Sequence, residues 1–180
     1  MLKLIAKLVL FATGWKPEGE KPAEKRFVLI AAPHTSNWDF VIGILARYAV
    51  GLPARWIGKD TLFRGPFGGF FRALGGLPVN RRASSGFVAQ MCDEFARRET
   101  LFLAIAPEGT RRRTDHWKSG FYRIATAAGV PLGLVFIDYS KREIGVDTYL
   151  DLSGDAADDL ARIAAGYAGR RGRHPHLEGH

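Results

Sequence analysis

The 180-residue chain has one cysteine, Cys92, so no internal disulfide can staple it. No Cys/His spacing resembles a zinc site, and no metal or cofactor is expected. No apolar run reaches the roughly 20 residues that a helix needs to cross a bilayer. No G-x-S-x-G elbow is present, and Cys92 falls inside a helical pattern with no sign of activation, which argues against a hydrolase. Acidic residues are outnumbered 18 to 26, giving a formal charge of +8 and a pI of 9.9. Such a surface attracts a phospholipid headgroup layer, a nucleic acid or a phosphate-bearing substrate. The aromatic residues lie in apolar, helix-spaced runs and are not interleaved with basic residues on a strand face, so nucleic acid is not expected.

What is present is an ordinary globular composition, 47% hydrophobic and 24% charged, at a length that suits one domain. Short apolar runs read as buried strands at Phe27–Ala32, Ala54–Gly58, Leu77–Asn80, Leu101–Ala106, Leu132–Ile137 and Glu143–Tyr149. Helical patterns fill the gaps, at Phe40–Tyr48, Ser84–Arg98, Ser119–Ala128 and Asp155–Tyr167. Phe67, Phe70, Phe71 and Leu74 add a further stripe at helical spacing. Strands alternating with helices predict a single-domain α/β sandwich around a largely parallel sheet. Lys16–Lys25 reads as a polar connector.

The two ends differ from this middle. Wound as a helix, residues 1–15 place Leu2, Leu4, Ile5, Leu8, Val9 and Phe11 on one side and Lys3 and Lys7 on the other, with Leu10 breaking the pattern. Such a short amphipathic helix can lie at a membrane surface or dock on the protein's own core. Residues 169–180 are rich in Gly, Arg and His and read as a disordered basic tail after a domain spanning 16–168.

Two polar clusters follow the most apolar strands, Pro33-His-Thr-Ser-Asn-Trp-Asp39 and Pro107-Glu-Gly-Thr-Arg-Arg-Arg113. Ligands of open α/β sheets bind beyond the carboxyl ends of strands, where these clusters sit. His34 is suited to neutral-pH proton transfer, and Asp39 lies where its carboxylate can accept from one imidazole nitrogen and leave the other free. Equally, Ser36 and Asp39 form the S-x-x-D pattern of a helix capping box. In the second cluster Gly109 allows close backbone approach, Thr110 offers a hydroxyl and Arg111 a fork for phosphate oxygens, although a basic run also suits a solvated loop.

Together, His34-Thr-Ser-Asn-Trp-Asp39 and Pro107-Glu-Gly-Thr-Arg111 resemble the H-x-x-x-x-D and P-E-G-T-R motifs of the glycerol-phosphate and 1-acylglycerol-3-phosphate acyltransferase family. Gly76-Leu-Pro-Val-Asn-Arg81 and Gly129-Val-Pro-Leu132 resemble its remaining blocks, in the family's order. The resemblance implies that His34 is the general base and that Asp39 orients it. It implies that Arg81, Glu108, Gly109, Thr110 and Arg111 form the acceptor-binding side. The reaction implied is O-acyl transfer from acyl-CoA or acyl-carrier protein to lysophosphatidic acid or a related anionic lipid, for phospholipid biosynthesis at the cytoplasmic face of a membrane. Pro33 stands where the family often has asparagine, and Asn80 where it often has an acidic residue, which leaves Arg81 and Arg82 both eligible. The shorter N-terminal part implies weaker, reversible membrane attachment. Acyl transfer to a non-phosphorylated acceptor, such as an ornithine lipid or glycolipid precursor, and a non-catalytic anionic-lipid-binding module are the alternatives. The Phe67, Phe70, Phe71 and Leu74 stripe is the candidate path for the acyl chain. Oligomeric state has no signature in the sequence.

Overall fold

The computed structural model describes residues 1–19, 22, 24–79, 84–111, 113–114 and 117–178, apart from the side chains of residues 84 and 85. Helix α1 (Leu2–Ala12) leads into a short strand β1 (Lys16–Glu18) and then β2 (Arg26–Ala32). Next come α2 (Trp38–Val50), β3 (Ala54–Lys59), a 3-10 turn (Asp60–Phe63), the short α3 (Gly68–Ala73) and β4 (Gly76–Val79). The second half runs α4 (Ser84–Ala96), β5 (Leu101–Ile105), α5 (Gly120–Ala128), β6 (Leu132–Asp138), β7 (Glu143–Leu150) and α6 (Ala156–Gly166). Local chemistry sets several of the ends. Gly51 and Gly129 adopt the left-handed conformation that stops α2 and α5. Asp155 caps α6 by accepting from the N–H groups of Ala157 and Asp158.

The seven strands form one sheet in the order β1-β7-β6-β2-β5-β3-β4. Among the described residues only the β6–β7 pair is antiparallel. The expected α/β sandwich with a largely parallel sheet is the observed fold. The polar connector contributes one strand the sequence pattern did not show: Lys16–Glu18 has no apolar alternation and is exposed throughout, and it pairs with β7 only through backbone groups.

The two faces of the sheet are packed very differently. On one, Val28, Ile30, Leu103, Leu132 and Leu134 meet Met91 and Phe95 of α4, Phe121 and Ile124 of α5, and Ile163 of α6, forming the main core. On the other, Phe27, Leu29 and Phe102 form a smaller cluster at one end of the strands. Farther along, Ile42 and Ala46 of α2 meet Ile137 and Ile144, and Phe40 meets Trp56 edge-on at 4.7 Å. Between these contacts lies a cavity lined by Ala31, Ala104 and Val135 of the sheet and by Phe40, Gly43 and Ile44 of α2.

Helix α1 stacks outside α2. Its buried residues are Ala6 and Leu10, which pack with Ala49, Leu45 and Tyr48 of α2 and with Trp15. Leu10, which the sequence pattern marks as a break, anchors the helix together with Ala6, four residues and so about 40° away around the axis, on a narrow stripe beside the lysines. The broad apolar face expected from the pattern stays in solvent, with Leu2, Leu4, Ile5, Leu8, Val9 and Phe11 between 39% and 83% exposed. Among the described residues no helix is long and apolar enough to cross a membrane.

The C-terminal residues depart from the expected disordered tail. From Gly169 to Glu178 the chain runs as a strap over the loop after β2. His174 N–H donates to Thr35 Oγ1 at 3.1 Å, and Arg171 C=O accepts from Tyr139 N–H at 2.8 Å. Arg170 pairs with Asp147 at 2.6 Å and lies over the Phe136 ring. Composition marks this segment as polar and basic; the partners that hold it are distant in sequence and so invisible to composition.

Candidate active site

Strands β2 and β5 are parallel neighbours, so their carboxyl ends open on the same edge and the two polar loops meet there. Both oxygens of Glu108 accept from the His34 backbone N–H, at 3.0 and 3.1 Å. This bond between residues 74 apart joins the two loops.

Within the first loop, Asp39 is fully buried at its side chain and His34 Nδ1 lies 3.2 Å from its Oδ2. The same oxygen accepts from Ser36 N–H at 2.8 Å, and Oδ1 accepts from Tyr139 O–H at 2.6 Å. Ser36 Oγ in turn accepts from Trp38 N–H. The capping pattern and the His–Asp pair are thus both present and share one carboxylate. A proton on Nδ1 directed at Asp39 leaves Nε2 as the acceptor. Burial pushes the Asp39 carboxyl up, and the bonds from His34, Tyr139 and Ser36 more than offset it, so the group is held below the usual carboxylate range.

The second loop places Gly109, Thr110 and Arg111 on the rim of the same cavity as His34 and Asp39. Gly109 has φ +65°, and a Cβ there would stand 3.0 Å from the Lys118 side chain, so this tight turn requires glycine. Lys118 N–H closes the loop onto Pro107 C=O. Glu108 is directed inward, 2% exposed, and is occupied by the His34 backbone, whereas Arg111 is exposed. Arg81 and Arg82 lie outside the described residues.

The cavity has a volume of about 1020 Å³ and extends from His34 beneath α2 to Arg47, Val50 and Leu52. From Asp39 to Arg47 the helix rises roughly 12 Å. Arg47 lines this far part of the cavity, and its Nε and Nη1 are buried with no hydrogen-bond partner among the described residues. The aromatic stripe expected to guide an acyl chain is elsewhere: Phe67, Phe70, Phe71 and Leu74 are absent from the cavity wall. Phe67 and Phe70 face solvent, and Phe71 packs against Trp56 and Phe63. The stripe belongs to α3, a six-residue helix beside the outer strands β3 and β4.

A profile of the Acyltransferase family matches residues 16–137, a span that contains both loops and the strands that carry them. The chain belongs to the Acyltransferase family. Among solved structures it is similar to the 1-acyl-sn-glycerophosphate (LPA) acyltransferase PlsC from Thermotoga maritima, with a TM-score of 0.62 and 18% identity over 91% of this chain and 73% of that one. That likeness shows the fold. No curated protein matches the chain by sequence. Several residues that sequence patterns did not single out contact Asp39 or line the cavity. Tyr139 is 100 positions from Asp39; Gly43 and Arg47 lie in an unremarkable helical pattern; Lys118 follows the basic loop without a motif of its own.

Burial pushes the Glu108 carboxyl up to about 7, against the His34 N–H bond and the imidazole, while the charges of Asp39 and Glu178 add to the rise. A carboxyl raised on folding holds a proton that the unfolded chain has released, so its contribution to stability falls as pH rises from about 4.5 to about 7. Asp39, with its lowered value, acts in the opposite sense and only at lower pH. Glu108→Gln keeps an oxygen for His34 N–H and cannot ionise. Urea midpoints of the variant are expected to change less between about pH 5 and about pH 7.5 than those of the native chain. Equal changes in both proteins would show that Glu108 carries none of this pH dependence.

Proposed function

We propose that this acyltransferase moves a fatty-acyl group from acyl-CoA or acyl-carrier protein to a hydroxyl of lysophosphatidic acid or a related anionic lipid, working at an anionic membrane surface. The observation that carries this reading is the His34–Asp39 pair at the mouth of an apolar cavity whose rim bears Arg111 and Lys118. His34 Nε2 takes the proton of the acceptor hydroxyl as its oxygen attacks the thioester carbonyl carbon. The C–S bond then breaks, and the proton passes to the departing thiolate. No covalent acyl-enzyme is needed. Arg111, with Gly109 and Thr110, serves the acceptor's phosphate, to which the family resemblance adds Arg81. Glu108 supports the base through the His34 backbone.

The acyl chain occupies the cavity beneath α2, entering beside His34 and extending toward Arg47. The exposed apolar face of α1 rests among lipid headgroups, with Lys3 and Lys7 at its border drawn to anionic lipid. The Thermotoga protein is a 1-acyl-sn-glycerophosphate (LPA) acyltransferase, and the shared fold makes LPA the first acceptor to try.

Three measurements test the reading. Thiol release from palmitoyl-CoA is expected to depend on added lysophosphatidic acid and to fall at least ~100-fold in His34→Ala, the loss typical of a general base; release that survives the substitution removes His34 from catalysis. A side chain at Gly43 would enter open space in the cavity. Gly43→Phe is therefore expected to lower the ratio of palmitoyl to octanoyl transfer about ten-fold, and an unchanged ratio would place the chain elsewhere. Phe11→Ser combined with Leu8→Ser alters only exposed positions and is expected to reduce co-sedimentation with phosphatidylglycerol vesicles several-fold. Full retention would rule out α1 as the lipid contact.

A further inference from the structure

Tyr139 follows β6 immediately and lies outside the residues 16–137 that the family profile matches. Its hydroxyl donates to Asp39 Oδ1 at 2.6 Å, while Oδ2 is taken by His34 Nδ1 and Ser36 N–H. The donors on Oδ2 both come from the loop that also carries the histidine. Tyr139 is the donor that reaches the carboxylate from another part of the fold. A buried carboxylate held at one oxygen alone is free to rotate about its Cβ–Cγ bond, and it also forgoes a charge-assisted hydrogen bond.

The tyrosine is itself tightly held. Trp15 meets its ring edge-on with centroids 4.9 Å apart. Its backbone N–H donates to Arg171 C=O in the C-terminal strap. Trp15 in turn packs against both Ala6 and Leu10 of α1 and the cluster of Ile42, Ile137 and Ile144. Trp15, packed on the N-terminal helix, and the C-terminal strap therefore both hold Tyr139 next to the catalytic carboxylate, one at its ring and the other at its backbone.

We infer that Tyr139 is a positioning residue for acyl transfer, the third member of a His34–Asp39–Tyr139 chain in which it fixes the carboxylate that orients the base. This rests on the role of His34 proposed above. A second consequence is electrostatic: by donating to Asp39, the tyrosine stabilises the ionised carboxylate. The other titratable or charged groups acting here are His34 on the same loop, Glu108 after β5 and Arg173 in the strap. Loss of the donor raises the pH at which the Asp39 carboxylate takes up its proton.

The test is Tyr139→Phe in the full chain, read in two ways. Acceptor-dependent thiol release is expected to lose about 5- to 30-fold in kcat, with KM for donor and acceptor within about two-fold of the native values. The acid limb of its pH profile is expected to move to higher pH. The Asp39 carboxyl carbon, followed by NMR without substrate, is expected to titrate at correspondingly higher pH. Placing 3-fluorotyrosine at 139, a stronger donor of nearly the same shape, should move both readouts the opposite way, and this variant decides the matter if the phenylalanine variant fails to fold. Unchanged kcat and titration, or a loss confined to thermal stability or KM, would overturn the assignment. If the native chain shows no acceptor-dependent release, the functional reading fails on its own, and the carboxyl titration still decides whether Tyr139 controls Asp39.

Discussion

The buried carboxylate of Asp39 is the constraint on which the site depends. It has no access to water, so its charge persists only because donors from separate places reach it: His34 and Ser36 on its own loop, and Tyr139 at the end of β6. Each bond also does geometric work. The Ser36 contact shapes the start of α2, the His34 contact sets which imidazole nitrogen is left free, and the Tyr139 contact joins the loop to the end of the neighbouring strand β6. Glu108 clamps the same loop from behind through the His34 N–H. Burial pushes both carboxyls up, but the donors His34, Tyr139 and Ser36 bring Asp39 below its usual range, whereas Glu108, bonded to the His34 N–H, stays raised at about 7.

The sheet separates stability from space. One face is filled by large aliphatic and aromatic residues under α4, α5 and α6 and supplies most of the hydrophobic burial. On the other face α2 meets the sheet through Ile42 against Ile137 and Ile144 and through Phe40 against Trp56, and the space left beside the small Ala31 and Ala104 belongs to the cavity that begins at His34. A fold with two equally filled faces would have no room for a lipid chain. Helix α1 follows the same economy of contact. Two buried residues, Ala6 and Leu10, attach it, which leaves its wider apolar face unused by the protein itself.

The sequence by itself determined the fold class, because the alternation of short apolar runs with helical patterns admits few arrangements other than a largely parallel sheet between helices. It also singled out the two polar loops that meet at one cavity, since His34, Asp39 and the Glu108–Arg111 segment lie just after strands whose apolar runs are unmistakable. The docking stripe of α1 was legible only in part: periodicity located an apolar face but could not say that the narrower Ala6 and Leu10 edge would be the one buried. Only the tertiary structure decided that Glu108 faces the His34 backbone, that Tyr139 reaches Asp39, that the Gly169–Glu178 segment becomes a strap, and that the cavity lies beneath α2 and not along the Phe67–Leu74 stripe. Each of these depends on contacts between residues far apart in the chain or on the absence of side-chain volume between two elements. Local pattern records what a segment prefers; which distant segment supplies its partner is set by how the strands are ordered in the sheet.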